Sequence, residues 1–194
     1  MIGQIGPSVR AGSTTSLLLN AAGSVAGGLC SGVVLCLIGL LATGLAGTAG
    51  DRERAFIVSG VLCAGSAVDM GLRGRPNLGP SRQTPIGWAC SLGREGAALA
   101  WGFDLGMAVT TRLPFFSLLG VCAFALLSGS TLLSALALGA YGAGRAASTA
   151  AVVASSADHG ASCTLIGSRS TQIRLLLSGV ALTTALAGFW LALA

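Results

Sequence analysis

Long apolar blocks separated by short polar segments dominate this chain. Leu17–Gly50 contains no charged side chain in 34 residues. The later apolar blocks are Ala55–Leu72, Gly96–Ser128, Ser130–Ala154 and Arg174–Ala194. A transmembrane helix needs about 20 predominantly apolar residues. The pattern therefore predicts an all-α, polytopic bundle of transmembrane helices that forms one domain over residues 1–194.

The first block is longer than one span needs and shorter than two spans joined by an ordinary loop. A tilted or broken helix is expected here, retained as a span rather than removed as a signal peptide, because it exceeds the apolar core of signal peptides. Its spacings Gly23–Gly27 and Gly28–Gly32 are of the small-xxx-small type. Such spacings permit a close crossing with another helix, although they often arise by chance in a glycine-rich chain.

The third block is interrupted by Thr110-Thr111-Arg112-Leu113-Pro114. Proline removes a backbone donor and disfavours helical geometry in the preceding residue, so a break is expected there. The block forms either one broken span or two short spans. The chain then has five apolar regions, the third of them broken, or six spans.

The arginines favour the count of five. If the N-terminus is cytoplasmic, the arginines on that side are Arg10, Arg73, Arg75, Arg82, Arg94, Arg169 and Arg174. Arg52 and Arg54 remain outside, which is a positive-inside bias. Counting the third block twice moves Arg169 and Arg174 outside, adds Arg112 there, and removes the bias. The expected location is the inner (cytoplasmic) membrane, with a cytoplasmic arginine-rich loop at 73–95 and a polar loop at 155–173.

Composition agrees with a membrane protein. The chain is 53% hydrophobic and 9% charged, with a mean hydropathy of +0.83, which exceeds what a soluble core of 194 residues hides. The net charge is +5, but the arginines are scattered and lack interleaved stacking aromatics, which argues against nucleic acid. The expected partners are the lipid bilayer and either a second copy of the chain or a larger membrane complex.

Asp104 is the costliest polar residue of the third block, because an ionised carboxylate in hydrocarbon needs a partner or a wet cavity. Arg145, in the fourth block, is the better candidate partner than Arg112, which is about 12 Å further along an unbroken helix. We predict a solute, ion or proton path lined by Asp104, Thr110, Thr111, Arg112 and Arg145, called below the predicted path residues. The structural alternative is an Asp104–Arg145 pair, with Arg112 extending to the interface. Asp69, near the end of its block, is expected at a solvated boundary.

The cysteines offer a second chemistry. Cys30 or Cys36 and Cys122 can form a reversible disulfide that carries reducing equivalents, whereas inert buried thiols are the alternative. His159 and Cys163 could supply two ligands of a metal site. The sequence has no second cluster of ligands to complete it, so a metal site is not expected. No phosphate-binding glycine loop, nucleophile elbow or hydrolytic carboxylate pair is present in the sequence. We therefore predict no metal and no cofactor, and catalysis is not the favoured function.

The stretch from Ala97 to Ser128, a glycine-bearing helix followed by a threonine-rich break, a proline and another apolar run, resembles a span of the thiol-transporting CcdA/DsbD family and of the broader LysE-type exporter superfamily. The resemblance covers about half of the chain and implies a compact helical bundle that moves reducing equivalents or small solutes. Leu113-Pro114-Phe115 stands where the redox family has a Pro-Cys pair, and Cys30 has no adjoining proline. This departure favours a bacterial membrane relative without thiol chemistry.

Taken together, the sequence predicts an integral membrane protein that transports a small solute, an ion or reducing equivalents. The alternative is a non-catalytic membrane subunit whose glycine-rich helices pack within a larger assembly.

Overall fold

Five α-helices make up the described part of the chain. The computed structural model describes residues 14–46, 50–71, 91–107, 116 and 118–155. The helices are α1 (Thr14–Ala46), α2 (Asp51–Gly71), α3 (Gly93–Gly106), α4 (Leu118–Leu127) and α5 (Thr131–Ser155). Within these residues no strand occurs, so the all-α class predicted from the sequence is confirmed.

α1 is continuous over 33 residues, which corresponds to about 50 Å of helix. Of the two outcomes predicted for the first block, the broken helix is therefore wrong. A continuous helix forms because no proline and no charge interrupts the block, and its many alanines and leucines are strong helix formers. A helix of this length exceeds a hydrocarbon core of about 30 Å.

α2 starts at Asp51, four residues before the apolar block predicted from the sequence. Asp51 and Glu53 lie in its first turn, where negative charge complements the helix dipole. The Glu53 carboxylate also accepts a hydrogen bond of 3.2 Å from the backbone N–H of Gly50. The charges that separate the first two blocks therefore begin a helix instead of forming a loop.

The third apolar block contains two helices, α3 and α4. The predicted break at Thr110–Pro114 lies outside the described residues. α4 and α5 are joined by a turn in which Gly129 has a φ of +66°, a left-handed conformation that favours glycine. The Ser130 hydroxyl then accepts a 3.4 Å hydrogen bond from the backbone N–H of Leu133, as at a helix N-cap.

The contacts group the chain into two compact units. Unit 1 contains α1 up to Ser31, α3, and α5 from Ala135 onward. Unit 2 contains α1 from Gly32 onward, α2, α4 and the first turn of α5.

In unit 1, α1 and α3 meet backbone to backbone through two glycine pairs. The pairs are Gly23 and Gly27 on α1, and Gly102 and Gly106 on α3. A methyl group added at any of the four would overlap a carbonyl of the other helix, that of Leu99, Phe103, Asn20 or Ser24, respectively. The close crossing that the Gly23–Gly27 spacing permits is present. Such crossings bring Cα–H groups against carbonyl oxygens and increase van der Waals contact.

α5 packs against α1 in the same manner. A methyl group at Gly28 would overlap the carbonyl of Leu138, and one at Gly142 would overlap the carbonyl of Ser24. The Ser24 carbonyl therefore lies against a glycine of α3 and a glycine of α5. Unit 1 is held together where three helix backbones approach one another.

Unit 2 combines one glycine contact with side-chain packing. Gly39 of α1 lies against the carbonyl of Leu126 in α4, and Gly120 of α4 lies against the side chain of Leu62 in α2. At the start of α5, the fully buried Ser134 hydroxyl donates a 3.0 Å hydrogen bond to the carbonyl of Ala125. α4 is thus contacted by three other elements of its unit.

The distribution of polar and apolar side chains is inverted relative to a soluble protein. Of the seven largest fully buried side chains among the described residues, five are serine or asparagine. Large apolar side chains face outward, with exposed fractions of 65% at Leu18, 69% at Leu41 and 67% at Leu132. In soluble proteins leucine is among the most buried residues and serine is mostly exposed.

Two helices are long and apolar enough to cross a membrane, over Thr14–Gly44 and Asp51–Gly71, and α4 is a shorter apolar helix. A core helix of a soluble protein can be equally long and apolar, but such a helix is mostly buried. In the apolar stretches of these two helices, only 33% and 22% of the residues are buried.

Substitution of Gly102 tests the backbone contact. Gly102→Ala places a methyl group against the Asn20 carbonyl and is expected to destabilise unit 1 by about 1–3 kcal/mol. Gly144→Ala is the matched control, because nothing lies within 4 Å of the added carbon and alanine favours helix by about 1 kcal/mol. Unfolding by denaturant in detergent measures both. Equal stability of the two variants would contradict the close crossing.

Candidate functional site

A row of polar side chains runs along the part of α1 that belongs to unit 1. Its members are Ser16, Asn20, Ser24 and Ser31, called here the polar row. At 100° per residue they fall within an arc of about 80°, and each is at most 3% exposed. Polar groups at this degree of burial cost free energy unless they are hydrogen-bonded.

Three members of the polar row bond to backbone carbonyls of other helices or of the turn after α3. Asn20 donates to the carbonyl of Ala98 at 3.3 Å, and Ser24 donates to that of Gly142 at 2.9 Å. Ser31 lies 2.9 Å from the carbonyls of Gly27 and Met107. Ser16 Oγ has no hydrogen-bond partner among the described residues. The polar row therefore joins α1 to α3 and α5 through hydrogen bonds. At these positions the polar side chains stabilise helix packing.

Asp104 lies in α3 between the two glycines that contact α1, and it is half-buried. It is displaced by two residues from both Gly102 and Gly106, so it projects about 160° away from the α1 contact. The glycine contact therefore does not involve the Asp104 carboxylate, which lies on another side of α3.

Arg145 is half-buried in α5 and contacts Tyr141, one turn earlier on the same helix. Its Nη1 donates to the Tyr141 hydroxyl at 3.2 Å, and the guanidinium carbon is 5.9 Å from the ring centroid. This distance is within the range of a cation–π contact. The described contacts of the Arg145 guanidinium do not include Asp104, so the ion pair between them that the sequence suggested is not formed in the described residues.

Several predicted residues lie outside the described part of the chain. They are Thr110, Thr111, Arg112, His159, Cys163, most of the 73–95 loop, the 155–173 loop and the last apolar block. Their assignments stay predictions.

Asp69 is a buried carboxylate of unit 2. Its exposed fraction is 8%, so the solvated boundary position expected from its place near the end of the second block is wrong. Its Oδ1 accepts a hydrogen bond of 2.8 Å from the backbone N–H of Phe116, next to the start of α4. Phe116 lies two residues before α4, so the bond holds the segment that enters the helix, and a carboxylate near a helix N-terminus complements the helix dipole.

Arg54 occupies the opposite end of α4. Its Nη1 lies 3.5 Å from the carbonyl oxygen of Leu127, the last residue of that helix. An arginine at a helix C-terminus complements the negative end of the dipole. α2 therefore supplies a negative charge to the start of α4 and a positive charge to its end, and the two charges fix the antiparallel orientation of the pair.

The four described cysteines are free thiols: Cys30 is exposed, Cys36 is buried, and Cys63 and Cys122 are half-buried. Cys36 and Cys122 belong to unit 2 and Cys30 belongs to unit 1. Thiol exchange at Cys30, Cys36 or Cys122 stays a prediction.

No group of three or more His, Cys, Asp or Glu side chains suited to a metal ion occurs within the described ranges. Comparison of the chain with protein-family models, with curated proteins and with solved structures finds no match.

Sequence reasoning missed Tyr141, the polar row and both charged ends of α4. The four-residue spacing of polar side chains in an otherwise apolar block was a signal for the polar row, and the i to i+4 spacing was a signal for Tyr141 beside Arg145. The contact of Asp69 with Phe116 joins residues 47 positions apart, which no local pattern reveals.

Asp69→Ala removes the acceptor of the Phe116 N–H and is expected to cost about 1–2 kcal/mol. Asp69→Asn keeps an acceptor oxygen and is expected to lose only the charge–dipole part, about 0.3–1 kcal/mol. Glu95→Ala, at an exposed carboxylate of α3 in unit 1, is the control and should leave the exchange of the α4 amides unchanged. Hydrogen exchange of the α4 amides reads out all three, and unchanged exchange in Asp69→Ala would refute the capping role.

Proposed function

We propose that this chain is an integral membrane protein. The observation that carries the proposal is the inverted distribution of side chains: leucine and valine cover the outside of α1, whereas serine and asparagine lie inside. Lipid chains are as apolar as leucine, so outward leucines cost nothing in a bilayer, and helices there associate through small residues and hydrogen bonds. Glycine contacts and polar bonds to backbone carbonyls are the two interactions that hold unit 1.

Within the membrane, the function we propose is transport of a small solute or ion through the region of the predicted path residues. Three observations support this proposal. α3 and α4 have 14 and 10 residues, about 21 and 15 Å, and each is shorter than a full span. Asp104 is ionisable and lies in α3, and Arg145 is ionisable and lies in the apolar α5. Ionisable residues inside membrane segments mark solute and ion pathways, and broken helices form transport sites.

Asp104→Asn tests the transport proposal. Removing the charge at nearly constant shape should leave folding intact and reduce flux about tenfold or more, the change expected from losing more than about 1.4 kcal/mol of interaction. Flux of rubidium, formate and glycerol into proteoliposomes is the measurement.

Glu95→Gln is the matched control, because it makes the same change at an exposed position of the same helix. Wild-type flux of all three probes in folded Asp104→Asn protein would exclude Asp104 from the path. No flux of any probe in the wild type would argue against transport of these classes.

A membrane subunit of a larger assembly is the second candidate function. The outward sides of α2 and α5 include glycines with open space beside them, Gly60 and Gly144. Within unit 1, glycine is the residue at which helices meet. The same residue type on an outward side suits contact with a further helix.

Purification in mild detergent separates the two functions. The subunit proposal expects a stable complex with another chain, and Gly60→Leu or Gly144→Leu should dissociate it. Leu132→Ala, at an exposed leucine of α5, is the control that should leave it assembled. A stable lone monomer or homodimer that retains flux would contradict the subunit function.

A further inference from the structure

Arg145 is the charged residue of α5 between Thr131 and Ser155. It follows Thr131 by 14 residues and precedes Ser155 by ten, which places its Cα about 21 Å and 15 Å from the two ends. Glycine and alanine flank it in the helix. An arginine stays protonated, so a full positive charge is held well inside the helix.

The structure shows what this charge contacts. Tyr141 accepts one hydrogen bond from the guanidinium and presents its ring at 5.9 Å. Both contacts orient the guanidinium, but a neutral phenol does not cancel a charge. Among the described residues no carboxylate lies within ion-pair distance of Arg145.

A guanidinium has five N–H donors in a planar fork, which suits two oxygens of one carboxylate. One donor group is used toward Tyr141. The neighbouring Gly144 has nothing within 4 Å of the position of a β-carbon, and Ser148, one turn after Arg145 and on the same side of α5, is exposed. A small solute can therefore approach the guanidinium without displacing a large side chain.

Charge balance indicates the class of solute. A cation next to Arg145 would raise the electrostatic cost, whereas a monoanion would neutralise the guanidinium.

We propose that Tyr141 and Arg145 form the binding site of a small monocarboxylate anion, with Arg145 holding the carboxylate and Tyr141 orienting the guanidinium. This inference rests on the proposed transport function, and it names the class of cargo.

Binding is measured first, without flux, as the shift of thermal unfolding in detergent when sodium formate replaces sodium chloride. Formate should stabilise the wild type, and Arg145→Gln should weaken the apparent affinity for formate about tenfold or more, because a charge-assisted pair is lost. Arg145→Lys keeps the charge without the fork and should fall between them. Tyr141→Phe keeps the ring, loses the hydroxyl and should weaken binding severalfold. Arg94→Gln, at an exposed arginine of unit 1, is the control expected to bind like the wild type.

Formate affinity that is unchanged in Arg145→Gln overturns the proposal, as does equal stabilisation by formate and chloride. If Arg145→Gln does not fold, wild-type affinity in both Arg145→Lys and Tyr141→Phe overturns it. The outcome is separable from transport itself. Arg145-dependent formate binding without flux upholds the site and rejects transport, whereas Asp104-dependent rubidium or glycerol flux without formate binding upholds transport and rejects the site.

Discussion

Close approach of helix backbones at glycine is the constraint on which unit 1 depends. At Gly23, Gly27, Gly102 and Gly106 there is no room for even one methyl group. A large side chain at any of these positions would separate α1 from α3, and with that separation the hydrogen bonds of Asn20 and Ser31 to residues 98 and 107 would be lost. The hydrogen bonds of the polar row therefore depend on the close approach that the glycines allow. The polar row in turn fixes how the helices are oriented at that contact.

Unit 2 uses a different solution. α4 has ten residues and is apolar throughout, and it packs through Gly120 and Leu126. Asp69 and Arg54 specify its position through the two ends of the helix, where the backbone itself carries partial charge. Electrostatics at the helix ends thus adds to close packing as a source of orientation.

The parts of the fold that follow from local pattern were predictable. Uncharged blocks predict α1 and α5, and the spacing of Gly23 and Gly27 permits a crossing, because both signals involve neighbouring residues of one helix. The identity of the partner helix was not predictable. Asp69 shows why. Whether a carboxylate at the end of a block is solvated or buried depends on which distant residue contacts it, and here that group is the Phe116 amide. The same holds for Arg145, for which sequence favours a carboxylate partner and the structure shows a phenol one turn away.

The carbonyl of Ser24 touches glycines of two different helices while the hydroxyl of the same residue bonds to one of them. Three chain segments from distant parts of the sequence thus share a single peptide unit as their meeting point. Glycine contacts of this kind immobilise no side-chain rotamers, so they carry no side-chain entropy cost. These backbone contacts also contain no flexible side chain that could adjust. A shift of one segment at this peptide therefore displaces the other two.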